Sequence, residues 1–119
     1  MIQIATESMT LFRPGDILLI DLPFTDDTAS KQRPVLVLID EKDDDLVLSR
    51  ITTVYRSNQP YDYEIKDLNP TGLITKSYIR LTKVFTLEKT KVKATLGHLS
   101  HSDKVTVNAL IHKLYTLNP

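Results

Sequence analysis

The sequence predicts a small, mainly β, closed barrel finished by one C-terminal helix, and three observations predict it. Short apolar or alternating runs, rich in β-branched residues, recur along the first four-fifths of the chain, separated by turn residues. Apolar residues recur at helical spacing in one place, where Val107, Leu110, Ile111 and Leu114 follow the last glycine. A length of 119 residues with 41% apolar content suits one domain with one ordinary core, which needs no metal or disulfide to fold.

The elements follow in order. Residues 1–12 read as a loose N-terminal extension, with Met9 as a second candidate start, and residues 13–119 as the single domain. Arg13-Pro14-Gly15-Asp16 is a turn, because proline fixes one dihedral and glycine accepts positive φ. The first strand, Ile17 to Leu22, is apolar on both faces apart from Asp21, so both its faces should be covered. Pro23 ends it, and the polar residues 24–32 read as a mobile loop of the kind used as a lid or binding loop. Val35 to Ile39 is the second strand. Asp40, Glu41, Asp43, Asp44 and Asp45 form a solvated connection to the third, Leu46 to Val54. Tyr61 to Ile65 is a fourth strand, and Leu73 to Leu81 a fifth, after the Asn69-Pro70-Thr71-Gly72 turn. Lys83 to Leu87 and Val92 to Leu96 are further short apolar pieces. Ser102 with Asp103, or alternatively Ser100, caps the helix, whose stripe is expected to pack on the core. Five or more short strands followed by one helix indicate an SH3-like barrel and not a parallel α/β sheet.

Composition excludes several functions. There is no cysteine, hence no disulfide framework, thiol nucleophile or thiolate zinc site. No apolar run approaches the roughly 20 residues that span a bilayer, and the first dozen residues lack a basic segment; the expected location is the cytoplasm. Net charge is zero, against a purely electrostatic nucleic-acid binder. The charge is uneven, however: residues 1–61 carry six Lys/Arg against ten Asp/Glu, and residues 62–119 carry nine against five. A local basic groove is therefore allowed.

No metal or cofactor is expected. His98, His101 and His112 lack the glutamate of a helical zinc motif, and the acidic run lacks the spacing of a calcium loop. No G-x-S-x-G elbow occurs, and the glycines, Gly15, Gly72 and Gly97, are too far apart for a phosphate loop. What remains is Arg33, where a polar loop enters a buried strand, with Thr52 and Thr53 at the end of the third strand. Arg50 shares a face with Thr52 by the period of two. Arg80 lies on the fifth strand, and Lys31 and Arg56 in flanking loops. An arginine fork suits a phosphate because it donates two parallel hydrogen bonds and stays charged.

Gly15-Asp16-Ile17, Asp21-Leu22-Pro23-Phe24 and Lys31-Gln32-Arg33-Pro34-Val35-Leu36-Val37-Leu38 together resemble the opening of the MazF/PemK toxin family of type II toxin–antitoxin systems. Ile51-Thr52-Thr53 resembles its Ile-Thr-Ser element. Gly72-Leu73, Ser77-Tyr78-Ile79-Arg80, Val84-Phe85-Thr86-Leu87 and the stretch from Gly97 to Leu114 resemble its later strands and closing helix. The resemblance implies a homodimeric barrel that cleaves single-stranded RNA without a metal, by attack of the substrate's 2′-hydroxyl, and that a small antitoxin neutralises. It implies Arg33 and Thr52 as catalytic residues, with Lys31, Gln32, Thr53, Arg56, Ser77 and Arg80 contacting RNA. Some relatives add a histidine in the first loop and an aspartate two residues after the later strand arginine. Here Thr28-Ala29-Ser30-Lys31 offers no histidine, and Thr82 stands two residues after Arg80, which leaves the arginine–threonine version. The alternative is a non-enzymatic module that binds a protein, as the related gyrase-poisoning toxins do with the helix end, although His112 to Pro119 offers no match to them.

Overall fold

The computed structural model describes residues 11–23 and 30–117. Residues 1–10, which hold both candidate starts, and residues 24–29, most of the stretch read as a loop, lie outside it. Six strands, β1 (Asp16–Pro23), β2 (Ser30–Ile39), β3 (Asp45–Thr52), β4 (Asp62–Glu64), β5 (Tyr78–Glu88) and β6 (Val92–His98), are followed by one helix, α1 (His101–Leu114). They form one antiparallel sheet in the order β4-β5-β3-β2-β1-β6. The expected mainly β architecture with one C-terminal helix is what the chain adopts.

Alternation along the strands builds two cores, one on each face of the sheet. Ile17, Leu36, Ile51, Ile79 and Leu81 face α1 and meet Val107, with Leu110, Ile111 and Leu114 packed around them. Leu18, Ile20, Val35, Val37, Leu46 and Leu48 face the other way and meet Phe12, with Phe85, Leu87 and Val92 against them. This explains why β1 is apolar on both sides. The helical stripe is core packing, as its spacing indicates. Ser100 caps α1 by accepting the Asp103 amide at 3.2 Å.

The terminal strands of the sheet, β4 and β6, are not ladder partners; the short 3-10 turn at Asn69–Thr71 bridges the seam instead. The backbones touch there. A Cβ on Gly72 would lie 2.2 Å from the Leu96 carbonyl oxygen, and one on Gly97 would lie 2.1 Å from that of Pro70. Gly72 also needs positive φ, at 77°.

Three expectations are corrected. Residues 30–32, read as loop, belong to β2, because Ser30, Lys31 and Gln32 pair with Pro23, Leu22 and Asp21. The fifth strand begins at Tyr78 and not at Leu73, and it absorbs the piece from Lys83 to Leu87. Its register explains why the sequence looked broken: Arg80 pairs with Arg50 and Val84 with Ser49, so Leu81, Thr82 and Lys83 form an irregularity that interrupts the alternation. The acidic connection is not wholly solvated either. The Asp40 side chain is 3% exposed, binds Lys89 Nζ at 2.9 Å and accepts the Lys42 amide, whereas Glu41, Asp43 and Asp44 are exposed.

Among the described residues, no helix is long and apolar enough to cross a membrane.

Candidate active site

The site begins with a missing hydrogen-bond donor. The Val37 carbonyl accepts the Gly15 amide on the β1 side. Groups alternate along a strand, so Val35 and Arg33 also turn their backbone groups toward β1, and Pro34 turns toward β3. Proline has no N–H to give that side. The β2–β3 ladder stops one residue earlier, at Val35↔Arg50, while β2 continues with β1 as far as Ser30↔Pro23. Pro34 thus lies within a central strand, not at an edge or a strand start, and marks the point where β2 parts from β3.

A cleft of about 300 Å³ opens at this point, lined by Arg33, Pro34, Arg50, Ile51, Thr52, Thr53, Val54 and Ser77. Extending the Val35↔Arg50 register places Arg33 opposite Thr52, both on the face shared with Val35 and Leu48. Arg33 and Arg50 also line an adjoining hollow of about 490 Å³, walled by Leu22, Val35, Val84 and Phe85, with Lys83 at its side. Two arginines therefore stand between a polar cleft and an apolar one.

The threonine is oriented by its own turn. Thr52 Oγ1 accepts the Val54 amide at 3.1 Å, which leaves the hydroxyl hydrogen available to donate. The Val54 carbonyl in turn accepts from Arg80 Nη2 at 3.2 Å. Arg80 is 11% exposed, and its Nε lies 3.7 Å from Asp62 Oδ2 without a hydrogen-bond partner among the described residues. Asp62, itself 5% exposed, is gripped by Arg56 through Nε to Oδ2 at 2.8 Å and Nη2 to Oδ1 at 2.7 Å. That fork raises the Arg56 pKa above its ordinary value, outweighing the effect of burial.

Of the residues the sequence singles out, Arg33, Thr52, Thr53 and Ser77 come together in one cleft. The Ser77 side chain is buried and its hydroxyl donates to the Thr75 carbonyl at 2.8 Å. Lys31 and Gln32 are exposed on the part of β2 that extends past the ladder. Arg56 and Arg80 meet at Asp62 and do not line the cleft. Two residues were missed or underrated. Arg50, noted for sharing a face with Thr52, lines both hollows. Asp62 had no signal, since its importance comes from the β4–β5 register that sets it opposite Arg80. His98, His101 and His112 are exposed, and no cluster of three potential metal ligands occurs among the described residues.

This architecture is shared with solved toxin structures. An endoribonuclease from Mycobacterial species, solved in complex with its cognate antitoxin, superposes with a TM-score of 0.72 at 19% identity, covering 92% of this chain and 100% of that one. A second endoribonuclease from Mycobacterial species gives 0.68 at 20% identity, over 93% and 98% of the two chains. MazE-MazF from Deinococcus radiodurans gives 0.66 at 12% identity, over 91% and 98%. At such identities the likeness shows the fold, a MazF-like barrel. A search among curated protein sequences finds no match. The family model supplies the more specific finding: residues 13–115 match the PemK-like, MazF-like toxins of type II toxin–antitoxin systems, and the chain belongs to that family.

Proposed function

We propose that this protein is the toxin of a type II toxin–antitoxin pair and acts as an endoribonuclease on single-stranded RNA, with Arg33 and Thr52 at its centre. The observation that carries the reading is the cleft where β2 leaves β3, in which an arginine and an oriented hydroxyl face each other across an interrupted ladder.

The chemistry needs only these groups and the substrate. The 2′-hydroxyl oxygen attacks the adjacent phosphorus and loses its proton to solvent. The bond from phosphorus to the 5′ oxygen breaks, that oxygen gains a proton, and a cyclic phosphate remains. Arg33 stabilises the extra negative charge that develops on the phosphate oxygens. Thr52, whose oxygen already accepts the Val54 amide, donates its hydrogen to a non-bridging oxygen and keeps the phosphate in line. Arg50 adds positive charge at the boundary between the two hollows. A base next to the scissile phosphate rests in the apolar hollow against Val84 and Phe85, since unstacked RNA bases seek aromatic and apolar surfaces beside arginine.

The remaining parts of the reading follow from family membership and from neighbours whose names record complexes with an antitoxin or MazE. The working form is a homodimer in the cytoplasm, Lys31, Gln32 and Thr53 guide the RNA strand, and an acidic antitoxin segment blocks the cationic cleft. The test is to incubate the purified protein with mixed-sequence single-stranded RNA in EDTA and map the termini. Cyclic-phosphate ends that depend on both Arg33 and Thr52 are expected. Equal cleavage by Arg33→Ala would remove Arg33 from the centre of the reaction, and growth arrest by that variant with RNA intact would replace this reading with the protein-binding one.

A further inference from the structure

We infer that Asp62 is a positioning residue for the cleavage proposed above, acting through Arg80 and the Val54 peptide on Thr52. The inference rests on that reading for its catalytic consequence, and on geometry alone for the linkage itself.

The linkage runs through one ion pair and two hydrogen bonds. Asp62 stands opposite Arg80 in the β4–β5 ladder, with its Oδ2 3.7 Å from Arg80 Nε. Arg80 Nη2 donates to the Val54 carbonyl at 3.2 Å, and the Val54 amide donates to Thr52 Oγ1 at 3.1 Å. The Val54 residue is thus held at its carbonyl by the arginine and at its amide by the threonine, on a segment that has left the sheet. Val54 is 59% exposed, so packing contributes little to holding it. Its placement depends on Arg80, and the placement of Arg80 depends on a counter-charge, because an almost buried guanidinium without one would turn toward water.

No acid stands near Arg80 on its own strand, where Thr82 is two residues on and Glu88 lies at the far end, so the counter-charge comes from the neighbouring strand. Asp62 cannot double as a proton acceptor in the reaction: both its oxygens are engaged by the Arg56 fork. Arg56 completes the arrangement by fixing the carboxylate, which explains why two of the basic residues expected to contact RNA meet at one acid instead. The geometry assigns Arg80 to the support of Thr52 and leaves Arg33 and Arg50 to meet the substrate.

The experiment combines Asp62→Asn with Thr52→Ala, singly and together, with Glu64→Gln as the control for an exposed ion pair on the same strand. Glu64 lies 4.0 and 3.8 Å from Lys66 and Lys76, in the regime where pairs contribute little. Asp62→Asn is expected to lower kcat by about tenfold with KM nearly unchanged, the size of a modest misplacement of a reacting group. In the Thr52→Ala background it should lower kcat by no more than about twofold, since coupled residues are non-additive. Independently of activity, NMR amide exchange at Val54 should speed up in Asp62→Asn and stay at the wild-type rate in Glu64→Gln. An equal kcat loss in both backgrounds, or Val54 exchange unchanged by Asp62→Asn, overturns the inference. A wild-type protein that cuts no RNA while Val54 exchange responds as described overturns the nuclease reading and leaves the linkage standing.

Discussion

Among the described residues the side chains of Asp40, Asp62 and Asp103 are almost wholly buried, and the last two are held in different ways. Asp103, 1% exposed in the first turn of α1, accepts the Tyr63 hydroxyl and the amides of Lys66 and Asp67 at 3.2 and 3.0 Å. Its partners are neutral dipoles, aided by the helix N-terminus. Burial by itself would raise its pKa, but the Tyr63 hydroxyl, the two amides and Ser100 prevail and hold it below the usual carboxylate value. Burial and Asp103 push Tyr63 up to about 12. Asp62, by contrast, is held by two arginines, Arg56 and Arg80, beside an open cleft. A carboxylate fixed by backbone amides locks one piece of chain to another. A carboxylate fixed by cations sets where those cations point. The first arrangement serves the fold, and the second, as proposed above, serves the site.

Variants can break that contrast or sharpen it, beginning with the largest expected effect. Arg33→Ala should reduce cleavage about 10²- to 10³-fold, the loss associated with removing one charge-stabilising donor, with little change in the melting temperature. Asp103→Ala should do the reverse. Loss of a buried, multiply bonded carboxylate should cost about 3 kcal/mol of stability in urea titration, with kcat per folded molecule unchanged. The pH dependence has the same origin. Because the folded-state pKa of Asp103 is depressed, its stabilisation is complete above an unfolded value of about 3.9 and is lost as pH falls through the folded value. The wild-type melting temperature should therefore drop more between pH 5 and pH 3 than that of Asp103→Asn.

Smaller effects follow. Val84→Glu, at the 37% exposed lip of the apolar hollow, should raise KM about tenfold, in the range of one lost base contact, and leave kcat within twofold. Steady-state kinetics on a defined oligonucleotide separates the two. Tyr63→Phe removes the hydroxyl bond to Asp103 and should cost about 1 kcal/mol. It should also abolish the stability loss expected between pH 10 and pH 12. That window follows from the raised folded pKa, which makes the neutral phenol's contribution complete at lower pH and lost on ionisation.

Much of the fold is legible in the sequence because burial is periodic. Ile17 to Leu22 is apolar on both faces, and both faces are covered; Val107, Leu110, Ile111 and Leu114 share one face of α1, and that face packs. The fifth strand is misread where the period fails, since the irregularity at Leu81, Thr82 and Lys83 restarts the alternation. At the proposed site, the pairing of Arg33 and Thr52 in one cleft is legible through the residues around them. Asp62 is not, because a three-residue strand carries almost no local signal and its meaning depends on a partner 18 residues away. Ser77 lines the cleft, but the direction of its hydroxyl is not legible. A hydroxyl in a promising stretch turns inward to Thr75.

Pro34 gives the cleft an economical origin. The opening is not carved by bulky walls or by an inserted loop; it is a zipper that stops because one tooth is absent. Its width is then a property of the backbone, insensitive to which side chains line it, so the lining residues can change without closing the mouth. The same economy concentrates the risk. Any residue with an amide hydrogen at position 34 offers the two strands a further rung, and the chain could exchange a working cleft for one more hydrogen bond.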